Sequence, residues 1–152
     1  PWEPDWPRDD LTRTAFKRRI RFYQREARND QGYAYLIFEN SADRLVGGIA
    51  LTNVQRGITQ SASVGYWLGR SAVGQGYMTA AVHALARHGF DTLRLHRIEA
   101  ATQPANGPSI RVLERCGFRR EGFARSYLKI NGAWRDHILF GLLAEDVAEV
   151  QP

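Results

Sequence analysis

Ser63-Val64-Gly65-Tyr66-Trp67-Leu68, followed by Val73-Gly74-Gln75-Gly76-Tyr77-Met78-Thr79, is the stretch whose reading decides the fold. Its first half is β-branched and aromatic and reads as a strand. After its second half, apolar residues fall at Met78, Ala81, Val82, Leu85, Ala86 and Phe90, the spacing of one helix face. Strand, glycine loop and helix together make an anion site. Glycine lets the backbone turn tightly and approach a ligand with no Cβ in the way. The first N–H groups of a helix lack intrahelical partners, and the dipole adds positive potential there. A phosphate or pyrophosphate is the usual guest. By itself the Gly-x-Gly leaves two readings open, a pyrophosphate cradle or a tight βα turn with no ligand.

Working outward, the 152 residues fit one domain, 1–152, large enough to bury a core. With 43% hydrophobic and 24% charged residues the composition is that of a soluble globular chain. No apolar run approaches the ~20 residues that span a bilayer and no signal peptide is visible, so a cytoplasmic protein without membrane partners is expected. Cys116 is the only cysteine, which excludes an internal disulfide. It stands at a helix end before Gly117, where packing is expected rather than nucleophilic chemistry. The formal charge is +5, concentrated early at Arg13, Lys17, Arg18, Arg19, Arg21, Arg25 and Arg28. Such a surface favours a polyphosphate cofactor, an acidic protein or ribosomal RNA, but no sequence-specific nucleic-acid motif appears. His83, His88, His96 and His137 lack metal-ligand spacing, and no metal is expected. The chain starts at Pro1-Trp2-Glu3-Pro4 without methionine, which suggests a missing upstream segment carrying a first strand.

In chain order, residues 1–7 are proline-rich, with Trp2 and Trp6 as anchors. Asp9 or Asp10 is positioned to cap a helix whose packed face carries Phe16, Ile20, Tyr23 and Ala27. Strands are predicted over residues 33–39, 45–53 and 62–68, with Gly47-Gly48 as a bulge. A helix follows over residues 77–91 and a strand over 97–102. A second helix runs over 109–116, with Asn106 as cap, Pro108 in its first turn and Gly117 as its stop. Strands over 118–130 and 133–143 are joined by the hairpin signal Asn131-Gly132, with Trp134 assigned to the core. No repeat or second domain is visible.

One further constellation narrows the reading. Pro104-x-Asn106-x-x-Ser109 opens the second helix, and Cys116-Gly117-Phe118-x-x-Glu121-Gly122 closes it. The order of glycine loop, strand, Asn-x-x-Ser helix and Gly-Phe resembles the GCN5-related N-acetyltransferase (GNAT) family. The hairpin Tyr127-Leu128-x-Ile130-Asn131-Gly132-x-Trp134-x-Asp136-His137 resembles the RimJ/RimL-type branch, which acetylates the N-terminal alanine of ribosomal proteins. The resemblance runs from about Trp2 to Leu143.

It implies an α/β (α+β) fold: one mixed, mostly antiparallel twisted sheet flanked by helices, with two strands splayed around the pantetheine arm of acetyl-CoA. It implies that Trp67 and Leu68 lie along that arm and that the strand's backbone polarises the thioester. Val73, Gly74, Gln75, Gly76, Tyr77, Met78 and Thr79 would hold the pyrophosphate through main-chain N–H groups. Asn106 would bond the arm, and Ser109 would lie near the sulfur and donate toward the thiolate. The chain departs from the family at Ser71, where Gln or Arg is usual, although Arg70 lies one earlier. It also has Ala80 for a glutamate, Ser63 for a glutamate base and Leu113 for a tyrosine acid. An α-amine has a pKa near ~8 against ~10.4 for lysine, so a water relay could deprotonate it. Glu99 is the candidate to anchor that water, the alternative being a structural carboxylate. Tyr127 and Asp136 are candidates to line the acceptor pocket, with a structural partner as the alternative for Asp136. The implied activity is acetyl transfer from acetyl-CoA to a primary amine, foremost the N-terminal α-amine of a protein such as a ribosomal protein, by a monomer or homodimer. Transfer to a small amine, or CoA binding without catalysis, are the alternatives.

Overall fold

The computed structural model describes residues 12–148. Trp2, Trp6, Asp9 and Asp10 lie outside them. The observed cap of α1 (Arg13–Arg28) is Thr12, whose Oγ1 accepts from the Ala15 amide at 3.1 Å. The strands are β1 (Tyr33–Glu39), β2 (Arg44–Gln55), β3 (Ser61–Leu68), β4 (Arg97–Thr102), β5 (Arg119–Ile130) and β6 (Ala133–Leu143). Helices α2 (Tyr77–Arg87) and α3 (Gly107–Arg115) follow β3 and β4, and a short α4 (Ala144–Ala148) ends the described chain.

The sheet order is β1-β2-β3-β4-β6-β5. Only β3 and β4 are parallel, so the sheet is mixed and mostly antiparallel as expected. A parallel neighbour needs a crossover, and α2 with the wide turn His88–Thr92 supplies it. Helices α2 and α3 share one sheet face. There Val82, Leu85, Ala86, Leu113 and Cys116 form one core with Leu51, Ala62, Ile98, Phe140 and Leu142. Helix α1 packs at the β1 side of the sheet. Ala15 is its buried residue, whereas Phe16, predicted to pack, is 48% exposed. A helix at a sheet edge has only part of its apolar arc covered.

Two other expectations are corrected. The register slips between Ile37 and Phe38, which leaves Val46 as the extra residue beside the glycine pair. Gly47 and Gly48 themselves serve close approach: a Cβ on Gly48 would stand 2.6 Å from Trp67 Nε1, and one on Gly47 2.6 Å from Leu68 Cδ2. Trp134 is 62% exposed rather than in the core. It lies where β5 and β6 continue to their turn beyond the last rung that β4 shares with β6, Thr102↔Ile138, so no third strand flanks it. The turn itself is as read, with φ of 48° at Asn131 and 80° at Gly132, the two left-handed positions a type I′ turn requires.

Candidate active site

The sheet opens at its centre. Strands β3 and β4 share three rungs, Ser61↔Arg97, Ala62↔Ile98 and Ser63↔Glu99. Beyond them each strand follows its own antiparallel neighbour. β2 holds β3 as far as Gly47↔Leu68, and β6 holds β4 as far as Thr102↔Ile138. Strand twist then carries the two apart. The result is a fork whose inner edges, residues 64–68 and 100–102, have backbone groups unpaired toward each other. An extended chain with amide groups can enter such a gap and bond as a strand would.

Past β3 the backbone makes a 3₁₀ turn at Arg70–Ala72 and enters the glycine loop. Gly74 and Gly76 have φ of 82° and 83°, and a Cβ at either would have no heavy atom within 4 Å. The left-handed backbone favours glycine here, and the space a side chain would occupy is open. Gly76 is the N-cap of α2, and the first turn holds no acidic residue. The first bond of the helix is Ala80 N–H to Gly76 O at 3.1 Å, so the amides of Tyr77, Met78 and Thr79 precede it. Gln75 Nε2 donates to Ser71 O at 2.7 Å and braces the loop. The Tyr77 phenol donates to Glu39 Oε1 at 2.8 Å, tying the helix start to the end of β1. That bond holds the Glu39 carboxyl below its ordinary range. Met78 is 4% exposed with its side chain in the core, so it can offer a ligand only its main chain. The Cβ-free cradle and the outward amides fit a pyrophosphate.

Across the fork, Asn106 caps α3 as predicted, its Oδ1 accepting from the Ser109 amide at 3.2 Å. Its amide nitrogen is thereby the group it can turn to a ligand. The Ser109 Oγ lies 2.8 Å from the hydroxyl of Tyr66, which also donates to the Ser109 carbonyl at 3.4 Å. Burial pushes the Tyr66 phenol up to about 12, with the Ser109 bond acting in the opposite sense. Tyr66 is therefore a neutral hydroxyl at physiological pH. Sequence reading passed it over because an aromatic residue in a strand signals packing. The usable signal was its even spacing from Ala62 and Val64, which turn to the face where α3 lies. Leu113, at the position where the resemblance places a tyrosine acid, is 1% exposed core.

Glu99 stands on the last shared rung, opposite Ser63. Its neighbours Ile98 and Ala100 are buried beneath the helices, so Glu99 occupies the other sheet face. Arg97 Nε donates to it at 2.8 Å, and the same guanidinium grips Glu121. That grip keeps the Glu121 carboxyl below its ordinary value. Asp136, a candidate for the acceptor pocket, accepts from the Ser126 amide at 2.7 Å where Ser126 has φ of 48°. Its carboxylate secures an irregularity of the β5–β6 hairpin. Tyr127 is on that hairpin too, edge-on to the buried His137 at 5.8 Å. Trp67 is partly exposed and lies over Gly48, and Leu68 lies over Gly47. The structure thus joins the loop, Asn106, Ser109 and the fork, with Glu99 at its apex, and sets Tyr127 and Asp136 on the hairpin. Cys116 is buried, its thiol pushed up to about 11, and its Sγ lies 3.5 Å from Thr79 O, which makes it a packing residue.

Among the described residues no three His, Cys, Asp or Glu side chains cluster around a metal position. No helix among them is long and apolar enough to cross a membrane.

Known proteins share this arrangement. The family described as "Acetyltransferase (GNAT) domain" matches residues 1–119. A probable N-acetyltransferase, YjcK, of Bacillus subtilis (strain 168) is 44% identical over 138 residues, covering 91% of this chain and 76% of that one. The [ribosomal protein uS5]-alanine N-acetyltransferase of Escherichia coli (strain K12) is 32% identical over 146 residues, covering 96% of this chain and 75% of that one. Among solved structures, Mycobacterium smegmatis RimJ in complex with CoA-disulfide superposes with a TM-score of 0.91 at 36% identity, covering 100% of this chain and 72% of that one.

Proposed function

This chain belongs to the GNAT acetyltransferase family and is an N-acetyltransferase of the RimJ/RimL-type branch; from that premise we propose that it transfers acetyl from acetyl-CoA to the N-terminal α-amine of a protein, foremost a ribosomal protein. The observation that carries the cofactor is the fork, because a strand pair abandoned after three rungs leaves backbone groups free on both sides of a gap. The uS5-alanine relative supports the acceptor.

Acetyl-CoA supplies an activated acetyl group as a thioester. In this reading the amides of residues 74–79 bind its pyrophosphate, and the inner edge of β3 pairs with the pantetheine arm. An amide of that edge also polarises the thioester carbonyl, a contribution worth ~3–4 kcal/mol when one such donor is lost elsewhere. Ser109 gives its hydroxyl proton toward the departing thiolate and is reprotonated from solvent, which has taken up the proton of the amine. Tyr66 makes that possible by direction. In this reading the phenol proton goes to Ser109 Oγ at 2.8 Å rather than to the carbonyl at 3.4 Å, which leaves the serine's own proton free to point into the fork. The Tyr66 phenol, raised to about 12, keeps its proton throughout. On the acceptor side Glu99, steadied by Arg97, anchors a water that takes the proton of the attacking amine. An α-amine near ~8 needs little help, which suits a site whose carboxylate acts through water.

Mass spectrometry of acetylated products tests the acceptor. Incubation with acetyl-CoA and an equimolar mixture of an alanine-starting peptide, its N-terminally blocked lysine-containing counterpart and spermidine should label the free α-amine predominantly. Labelling of spermidine alone, or of the lysine, overturns the α-amine reading. CoA binding with no acetyl loss to any of the three overturns catalysis.

A further inference from the structure

The basicity of this protein is a property of one helix. Helix α1 carries seven cationic side chains against the single carboxylate of Glu26, a formal +6. The whole chain is +5, so the remaining residues sum to −1. Arg13, Lys17, Arg21 and Arg25 follow one another at intervals of four, and Arg28 lies three further on, all exposed. These intervals place the five on one stripe, a cation per turn over roughly 22 Å. Thr14, Lys17, Arg21, Phe22, Arg25 and Arg28 line a continuous shallow trough there. The Arg25 guanidinium lies 5.4 Å over the Phe22 ring. Among the described residues the nearest carboxylates do not neutralise the stripe: Asp30 is taken by Arg56, and Glu26 is half-buried to one side of it.

A surface with this much charge and so little apolar centre fits a polyanion. A protein partner needs a desolvated apolar core, and Phe22 alone does not make one. A membrane needs an apolar face to insert, and on that of α1 Ala15, Ile20, Tyr23 and Ala27 are buried or half-buried, which leaves Phe16 alone exposed there. Planar guanidinium groups, the majority here, suit phosphate oxygens, and backbone phosphates are recognised without reading a sequence. We propose that α1 is a docking ridge for the phosphate backbone of RNA, one that holds the enzyme on its acceptor's assembly and reads no base sequence.

Fluorescence anisotropy of the full chain with a labelled RNA hairpin, titrated from 0.05 to 0.3 M salt, tests this. Four to five phosphates neutralised should give a slope of log K against log salt of about −3 to −4. Arg21→Gln/Arg25→Gln should reduce the slope's magnitude by about 1.5 and weaken binding about 30-fold at 0.1 M salt. Arg87→Gln/Arg94→Gln, of equal net charge, should bind like the parent. CoA binding and the melting temperature should stay unchanged in both variants, which separates this proposal from the catalytic reading. Equal loss in the two variants would mean a net-charge effect and would overturn it. So would a flat salt response, or tighter binding to polyglutamate or to anionic phosphatidylserine vesicles than to RNA.

Discussion

Two neighbouring strand pairs of the same sheet solve opposite problems. β3 and β4 pair at three rungs and part; β5 and β6 pair at eight and slip register twice on the way. The fork is deep, between the helix-covered core and the loop, and there the backbone offers the chemistry. The hairpin is largely exposed, with Phe123 at 57% and Trp134 at 62%, and there the side chains face outward. Abandoned pairing admits a ligand that is itself extended and amide-rich. Kept pairing with bulges only re-aims side chains. In the function proposed above, donor recognition and acceptor recognition therefore reside in different atoms, main chain in one region and side chains in the other.

The sharpest way to break that contrast is Gly76→Val. The substitution places a branched side chain at φ 83° in open space where the cradle lies. CoA affinity measured calorimetrically should fall by more than 100-fold while the hairpin is untouched, and normal affinity would refute the loop assignment. Ser109→Ala should come next, with kcat lowered about 100-fold, the low end of positioned proton transfer, and CoA affinity nearly unchanged. Equal losses in both would make Ser109 a binding residue.

Tyr66→Phe should lower kcat about tenfold, and it should have no further effect on top of Ser109→Ala, because Tyr66 works through that hydroxyl. An additive double variant would separate the two. Tyr66 also predicts an alkaline signature. Its folded value, about 12, lies above the ordinary 10.0, so the folded state holds the proton more tightly. Its contribution is complete below pH 10 and is lost as pH rises from 10 to 12. Melts across that range should show a slope that Tyr66→Phe reduces. The smallest effect belongs to the hairpin. Asp136→Ala removes the partner of the Ser126 amide and should cost about 1 kcal/mol of stability in denaturant titration. CoA affinity should be unmoved.

Much of the frame was legible in the sequence because its signals are local. The β1, β4 and β6 bounds follow the apolar and β-branched runs, and the Asn106 cap, the left-handed Gly117 and the Asn131-Gly132 turn sit where their chemistry demands. What was not legible depends on partners far along the chain. Tyr66 and Ser109 are 43 residues apart, and nothing near either announces the other. Gly47 and Gly48 read as a bulge because the reason for them, Trp67 and Leu68, comes from a strand that folds back on them. Trp134 read as core because size and apolarity say nothing about where a neighbouring strand ends. Asp136 and Glu99 each admit two readings in the sequence, since a carboxylate's role depends on which donor reaches it first.

The glycine loop also bears on how such a protein changes over generations. The amides of Tyr77, Met78 and Thr79 are supplied by any residue but proline, so the cradle survives substitution of the side chains around it. Ser71 and Ala80 are exposed and can drift, while Gly74 and Gly76 are fixed by their backbone angles. If the hairpin contacts the acceptor as proposed, a lineage can then alter its outward side chains, and with them the acceptor, without passing through an ancestor that had lost its acetyl donor.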